Sequence, residues 1–307
     1  MFARWTRTET TDLAKPMSQS LPKISIVTPS FNQAAFIEEA LLSVKRQRYP
    51  FVEHIVLDGA STDGTIEILQ RYVGRSGWEH LHWISERDRG QSDAMNRGFK
   101  MVTGEIVGWL NSDDRYRPGC FAAVARAFGE QKETDVLYGD YTWMDEKGRM
   151  KRIRREIEFD RFILSYHRVL YIATVSTFFR RRLFDEGNWL NIGFECAMDY
   201  EYFLRLASKG YHFRHIPSIL ADFRWHPRSK STALPHKQTA EHNAIAVMYS
   251  PILQKIRGTL IQKLTLAGLR AAAAGLRYSQ KLLRGYYFEQ FGPPYLPVSP
   301  PLLKKRP

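Results

Sequence analysis

Between residues 24 and 128 the chain alternates short apolar runs with segments of helical spacing, and few folds accept that rhythm. Ile24-Ser-Ile-Val-Thr-Pro29 reads as a buried strand closed by proline. Phe36, Ile37, Ala40, Leu41 and Val44 then recur at helical spacing until Tyr49-Pro50 stops the helix. Val52–Leu57, Leu81–Ser85 and Glu105–Leu110 read as further strands, with helices over Thr65–Val73, Ser92–Val102 and Cys120–Phe128. Strands alternating with helices imply βαβ units, a parallel sheet and helices on both of its faces. Ligands of such sheets sit beyond the carboxyl ends of the strands.

After Asp135 the rhythm changes. Val136–Met144 and the turn Glu-Lys-Gly-Arg open a hairpin, Ser176–Arg180 is a strand, Met198–Ser208 a helix and Phe213–Arg224 extended. His236–Tyr287 reads as helical and partly amphipathic, and residues 1–22 as a loose leader. No internal repeat is present. Hydrophobic residues at 44% and charged residues at 25% argue against general disorder. Cys120 and Cys196 stand far apart without metal-ligand spacing, as packing residues of a reduced protein. No apolar run has the length of a signal peptide or a membrane span, so the expected place is the cytoplasm.

The strand ends carry the polar chemistry. They read Thr28-Pro-Ser-Phe-Asn32, Asp58-Gly-Ala-Ser-Thr-Asp-Gly-Thr65, Glu86-Arg-Asp-Arg-Gly-Gln91 and Asn111-Ser-Asp-Asp114. One such cluster is an ordinary loop; four converging on one sheet edge form a site.

The set resembles glycosyltransferase family 2 over roughly residues 22–230, in motifs that are weak singly and specific together. The resemblance implies the GT-A fold, a Rossmann-like mixed sheet with helices on both faces, here followed by a C-terminal helical extension. It divides the chain into the leader 1–22, a GT-A domain over 23–232 and a basic helical extension over 233–307. Within the domain, 23–115 would be the nucleotide-sugar half and 116–232 the acceptor half.

The same resemblance implies site roles. Pro29, Ser30 and Asn32 would contact the nucleotide-sugar, and Asp58 its base. Ser61 or Asp63 is read as a plain helix cap. Asp88 is given a donor contact, and Asn96, in an A-x-N-x-G core ending at Gly98, a structural or donor-side role. Asn111-Ser-Asp-Asp114 resembles the DxD motif, which holds Mn²⁺ or Mg²⁺ between carboxylates and diphosphate. Its first position is an uncharged Asn, so the metal falls chiefly to Asp113 with Asp114 supporting, either of the two being the direct ligand; Asn111 and Asp114 would also meet the nucleotide-sugar. His226, between Arg224 and Arg228, would join the metal or the diphosphate.

Inverting transfer needs a carboxylate to take the acceptor proton. Met198-Asp-Tyr-Glu201 resembles the segment that supplies it, with Asp199 as the base. Asp199 and Glu201 lie about 200° apart around a helix, so both cannot face the substrate. Phe203 and Leu206 put Asp199 on the core side, leaving Glu201 solvent-facing or paired. No Q-x-x-R-W motif follows, which favours one sugar per binding event over processive synthesis.

The implied enzyme is therefore a metal-dependent, inverting glycosyltransferase of cell-surface polysaccharide or glycolipid assembly. Its donor would be a nucleotide-sugar, a UDP-sugar first, and its acceptor a saccharide or lipid-linked saccharide. A nucleotidyltransferase would carry a Gly-rich basic loop that Thr28–Asn32 lacks. A catalytically inactive nucleotide-sugar-binding module fits poorly with Asp58, Asp113 and Asp199 all in place.

Charge adds a last expectation. The net +13 is uneven: from Pro251 onward ten cations face Glu289 alone, giving +9 and leaving +4 for the first 250 residues. Ile252, Leu253, Ile256, Leu260, Leu264 and Ala267 recur at threes and fours, flanked by Lys255 and Arg257, with Lys263 and Arg270 on or near the stripe. Such a stripe either packs on the domain or lies on an anionic membrane at its inner face. Nucleic acid is not an expected partner.

Overall fold

The computed structural model describes residues 21–167 and 169–287. The leader up to Ser20 and the last cations, Lys304, Lys305 and Arg306, lie outside them.

The first half builds β1 (Ile24–Ser30), α1 (Ile37–Lys45), β2 (Val52–Asp58), α2 (Thr65–Tyr72), β3 (Leu81–Ser85), α3 (Gln91–Met101), β4 (Ile106–Trp109), β5 (Arg115–Tyr116) and α4 (Cys120–Glu130). The second builds β6 (Val136–Met144), β7 (Met150–Arg154), α5 (Arg161–Tyr166), a 3-10 turn (Thr174–Ser176), β8 (Thr177–Arg180), α6 (Arg182–Asp185), α7 (Met198–Ser208) and β9 (Phe213–Arg224). Then come α8 (Lys230–Ala233), α9 (Pro235–Met248), α10 (Pro251–Lys255) and α11 (Leu260–Leu283).

The strands form one mixed sheet in the order β3-β2-β1-β4-β8-β6-β9-β5, with β7 paired to β6. β1 to β4 run parallel, as the βαβ rhythm requires. β8 enters antiparallel between β4 and β6, and β6 pairs parallel with β9. Every residue of β1 is buried, as befits a strand covered on both faces. Val27 packs with α3, α5 and α7 on one face, whereas Ile24 and Ile26 pack with α1 and α4 on the other. Pro29 is tolerated because the Ile24 N–H bonds toward β2, so the proline nitrogen two and a half alternations later faces β4. Pairing with β4 has already ended at Val27 and Trp109.

The long helical stretch expected at the C-terminus is three helices. Pro251 interrupts the ladder and Ser250 caps α10, its Oγ accepting from the Leu253 N–H; Gly258 at φ 80° and the Thr259 cap reset the chain for α11.

Gly98 sets how closely α3 lies on the sheet: a Cβ there would sit 2.3 Å from Val27 Cγ1 and 2.9 Å from Leu57 Cδ2. Gly98→Ala should therefore cost about 1–3 kcal/mol through overpacking, despite the better helix propensity of alanine. Denaturant unfolding checks this; an unchanged midpoint would mean that α3 can move off β1.

Candidate functional site

The loops after β1 and β2 are stitched into one surface by their own polar groups. The Asn32 N–H donates to Ser61 Oγ at 2.8 Å and Asn32 Oδ1 accepts from the Thr62 N–H at 2.9 Å. The Gln33 N–H donates to Thr65 Oγ1 at 2.9 Å and the Ala34 N–H to Asp63 Oδ2 at 3.0 Å. Asn32 holds φ 53°, a conformation asparagine accepts more readily than most residues. Asn32 thus ties the two loops together through its backbone and amide. The N-cap of α2 is Gly64, with no side-chain cap; Asp63 accepts from the Thr65 N–H one step before the helix and Ser61 bridges the loops, so neither is the cap that the sequence suggests.

Asp58 closes β2, buried, and accepts from the Ser61 N–H, Ser61 Oγ and Ser85 Oγ at 2.9, 2.5 and 2.7 Å. Three donors fix the direction of its carboxylate. Beside it Ser30 is buried and its hydroxyl has no partner among the described residues. Asp88 sits over Gly59, where a Cβ would meet Asp88 Oδ2 at 2.9 Å, and its Oδ1 accepts from the Gly90 N–H. Asn96 takes the structural of its two roles: its amide donates to the Leu190 carbonyl and accepts from the Leu190 N–H at 2.9 and 2.8 Å, which ties α3 to the approach to α7.

The turn after β4 separates two neighbouring carboxylates. Asp114 points inward, 1% exposed, with Oδ1 accepting from the Arg224 N–H at 2.7 Å and Oδ2 from Asn111 Nδ2 at 3.2 Å. Burial first, and the Asp113 charge second, push its carboxyl well above the usual range. Asn111 is occupied as well, accepting from Trp109 Nε1 and Gln91 Nε2 at 2.9 Å each. Both residues, expected against the donor, instead hold the turn, because a carboxylate this deep requires its bonds from within the protein. Asp113 alone turns outward, its Oδ2 3.0 Å from His226 Nε2.

Among the described residues no three His, Cys, Asp or Glu side chains cluster as a metal cage. Asp113 and His226 nevertheless present two donor atoms to one point, and His226 Nδ1 has no partner among the described residues. This donor set fits a cation that takes its other ligands from diphosphate and water, as Mg²⁺ and Mn²⁺ commonly do.

Arg224 locks the arrangement. It is 1% exposed, donates to the Asp113 and Glu146 carbonyls at 2.7 and 2.8 Å and pairs with Glu39 at 2.7 Å. Its guanidinium lies 4.9 Å from the centre of the Phe36 ring. One buried side chain therefore joins β9, the 113–114 turn, the hairpin turn and α1.

Asp199 opens α7 and borders a cavity of about 360 Å³ walled by Tyr141, Trp143, Phe223, Trp225 and His242. Burial raises its carboxyl to about 6, opposed by the Tyr200 N–H and by Lys230 and reinforced by Glu241. Lys230, on α8, is near enough to both Asp88 and Asp199 to interact with their charges. Glu201, not Asp199, is the buried member of the pair. It is 2% exposed, bound to Arg205 at 2.8 Å and to the Tyr249 hydroxyl at 2.6 Å. Sequence spacing put Asp199 on the core side because Phe203 and Leu206 are apolar; Arg205 and Tyr249 are what make Glu201 fit inside instead.

Sequence reasoning missed Glu241. From α9 its carboxylate accepts from the backbone N–H groups of Glu195, Cys196 and Ala197 at 3.1, 2.8 and 2.9 Å, gripping the chain just before α7. No local pattern links a glutamate on α9 to a helix more than forty residues earlier. The aromatic wall was equally hidden, since Tyr141 and Trp143 of β6 meet Phe223 and Trp225 from the end of β9, far along the chain.

The comparisons with known proteins agree on one class. The model of "Glycosyl transferase family 2" matches residues 25–203. A "PGL/p-HBAD biosynthesis glycosyltransferase" of Mycobacterium tuberculosis is 32% identical over 188 residues, 61% of this chain and 70% of that protein. An uncharacterised glycosyltransferase of Rickettsia felis is 27% identical over 251 residues, 79% of this chain and 40% of its own length. Among solved structures, S. aureus TarS 1-349 with UDP-GlcNAc superposes with a TM-score of 0.59 at 18% identity, covering 87% of this chain and 76% of that one. The mannosyltransferase PcManGT of Pyrobaculum calidifontis, solved with GDP-Man and Mn²⁺, gives 0.54 at 18% identity over 89% and 85%. The chain spans 44% of the longer TarS chain.

Proposed function

Because the chain belongs to glycosyl transferase family 2 and has the GT-A fold, we propose that it transfers one sugar from a nucleotide-sugar to an acceptor hydroxyl with inversion. The observation that carries this reading is the pairing of outward-turned Asp113 with His226 at 3.0 Å, with Asp199 at the aromatic cavity beyond β9. Asp113 and His226 would hold a divalent cation, which when bound offsets the charge of the diphosphate. Asp58, Asp88, Pro29 and Ser30 line the donor side. Asp199 takes the proton of the acceptor hydroxyl while its oxygen bonds to the anomeric carbon. The bond from that carbon to the diphosphate breaks on the opposite side, and the nucleoside diphosphate departs with the electron pair.

A UDP-sugar is the first choice of donor; TarS was solved with UDP-GlcNAc, and PcManGT with GDP-Man makes the guanine nucleotide the runner-up. The acceptor is a saccharide, free or lipid-linked, entering by the aromatic cavity. Among the described residues no helix is long and apolar enough to cross a membrane. We place the protein at the inner face of a membrane, held from outside.

Thermal stability with UDP-, GDP- and dTDP-sugars, each with and without Mn²⁺, tests the reading. A true donor at a hundred times its dissociation constant adds about 2.7 kcal/mol, a rise of roughly 5 °C or more. The rise should need Mn²⁺. If no nucleotide-sugar stabilises the protein with any divalent ion, the chain is not this enzyme.

A further inference from the structure

α11 is an amphipathic helix turned the unexpected way. Arg270, Arg277 and Lys281 lie on its inward side: Arg277 and Lys281 meet the fully buried Glu156 at 2.7 and 2.9 Å, and Arg270 donates to Asn243 of α9. The opposite face, at positions 260, 264, 268, 271, 275, 278 and 282, is exposed along its whole length and holds no charge. Leu260 is 71% and Leu264 65% exposed. A face this apolar on a water-soluble chain normally marks a contact surface. The apolar stripe expected from sequence is thus divided: Leu253 is buried, Ile252, Leu260, Leu264 and Ala267 face out, and the inward cations Arg277 and Lys281 serve Glu156.

Where that face meets the body, α9 and α11 enclose a second cavity of about 480 Å³ lined by Asn243, Lys263, Leu266, Ala267 and Arg270. Arg270 also borders the cavity that contains Asp199. A ligand reaching from Asp199 past Arg270 therefore meets two cations and then, beyond Ala267, the uncharged face. Exposed Lys255, Arg257 and Lys263 surround the N-terminal end of that face and Arg284 its C-terminal end.

We propose that the acceptor is a hydroxyl compound carried on a lipid phosphate, and that α11 rests on the lipid layer holding it. The hydroxyl reaches Asp199, the phosphate lies between Arg270 and Lys263, and the hydrocarbon leaves along the face of Leu260 and Leu264. The order of groups along the path, base then cations then apolar surface, matches the order of groups in such a molecule. The exposed cations at both ends of the helix complement anionic headgroups. This assignment rests on the proposed function for the role of Asp199, but the lipid contact is measurable without any sugar transfer.

The full chain is mixed with phosphatidylcholine vesicles with and without phosphatidylglycerol, and separately titrated with decyl phosphate, decanol and inorganic phosphate. Sedimentation with the anionic vesicles is expected, and decyl phosphate should bind roughly tenfold or more tighter than either fragment probe. Leu264→Glu should release the protein from vesicles, and Lys263→Glu should weaken decyl phosphate to the level of decanol. Neither should alter stabilisation by a nucleotide-sugar. Point variants replace truncation because Glu156 would be left buried without its cations. Equal binding of decyl phosphate and decanol, or of decyl and inorganic phosphate, overturns the proposal. So does a wild-type dimer that Leu264→Glu converts to monomer while vesicles are ignored, since the face would then belong to a second copy. Vesicle and decyl phosphate binding without nucleotide-sugar binding would leave the lipid contact standing and remove the glycosyl-transfer reading instead.

Discussion

Asp199→Asn is expected to lower turnover by roughly a hundredfold or more while nucleotide-sugar binding is kept. Asparagine preserves the size of the side chain and its acceptor for the Tyr200 N–H, but it cannot take a proton. Wild-type turnover should rise with pH through about 6, where this part-buried carboxyl ionises, and level off above. The groups facing this carboxyl are Lys230 of α8, Glu241 and His242 of α9, and Arg270 of α11. Lys230 opposes the upward shift and Glu241 reinforces it, so Glu241→Gln should move the rise toward lower pH. Stability runs the other way. A carboxyl whose folded pKa is raised stabilises the fold below its unfolded value of about 3.9, and that contribution is lost as pH rises through about 6. Asp199→Asn should therefore melt higher than wild type above pH about 6 and no higher near pH 4. If donor binding and turnover fell together, Asp199 would be structural.

Asp113→Ala should abolish metal-dependent transfer, a loss of roughly a thousandfold or more, at a cost to stability of about 1–3 kcal/mol. Its side chain is part-exposed, but its one described partner, the buried His226, loses the acceptor at its Nε2. Asp114→Ala is the contrast: it strips the buried Arg224 N–H and Asn111 of their acceptor and should chiefly destabilise the fold. Wild-type activity unchanged by EDTA, or a fully active Asp113→Ala, would exclude this carboxylate from metal binding.

The parallel half of the fold was legible because periodicity is local. β3, β6, α7 and β9 fall at the spans that spacing predicts, and the first four strands pair parallel as the alternation demands. The insertion of β8 between β4 and β6 was not legible, since no short-range pattern records which distant strand a run will pair with. Site chemistry divides along the same line. Asp58, Asp88, Asp113 and Asp199 are proposed from positions that follow strands or open a helix, which sequence alone displays. Asn96, Asn111 and Asp114 carry the right residue types but are consumed by Leu190, Trp109 and Arg224, partners that only the folded chain brings near. Glu201 is a charge that spacing alone would leave outside, until Arg205 and Tyr249 enclose it.

The grip of Glu241 on the backbone of residues 195–197 bears on how this enzyme can be divided and recombined. The family match ends at residue 203, inside α7, and so suggests a place to cut when segments are exchanged between relatives. A graft cut there would carry Asp199, the proposed base, but leave behind the side chain that grips the backbone just before it. The independent unit of exchange extends at least through α9, and chimeras that respect this limit should keep their catalytic register where shorter ones drift.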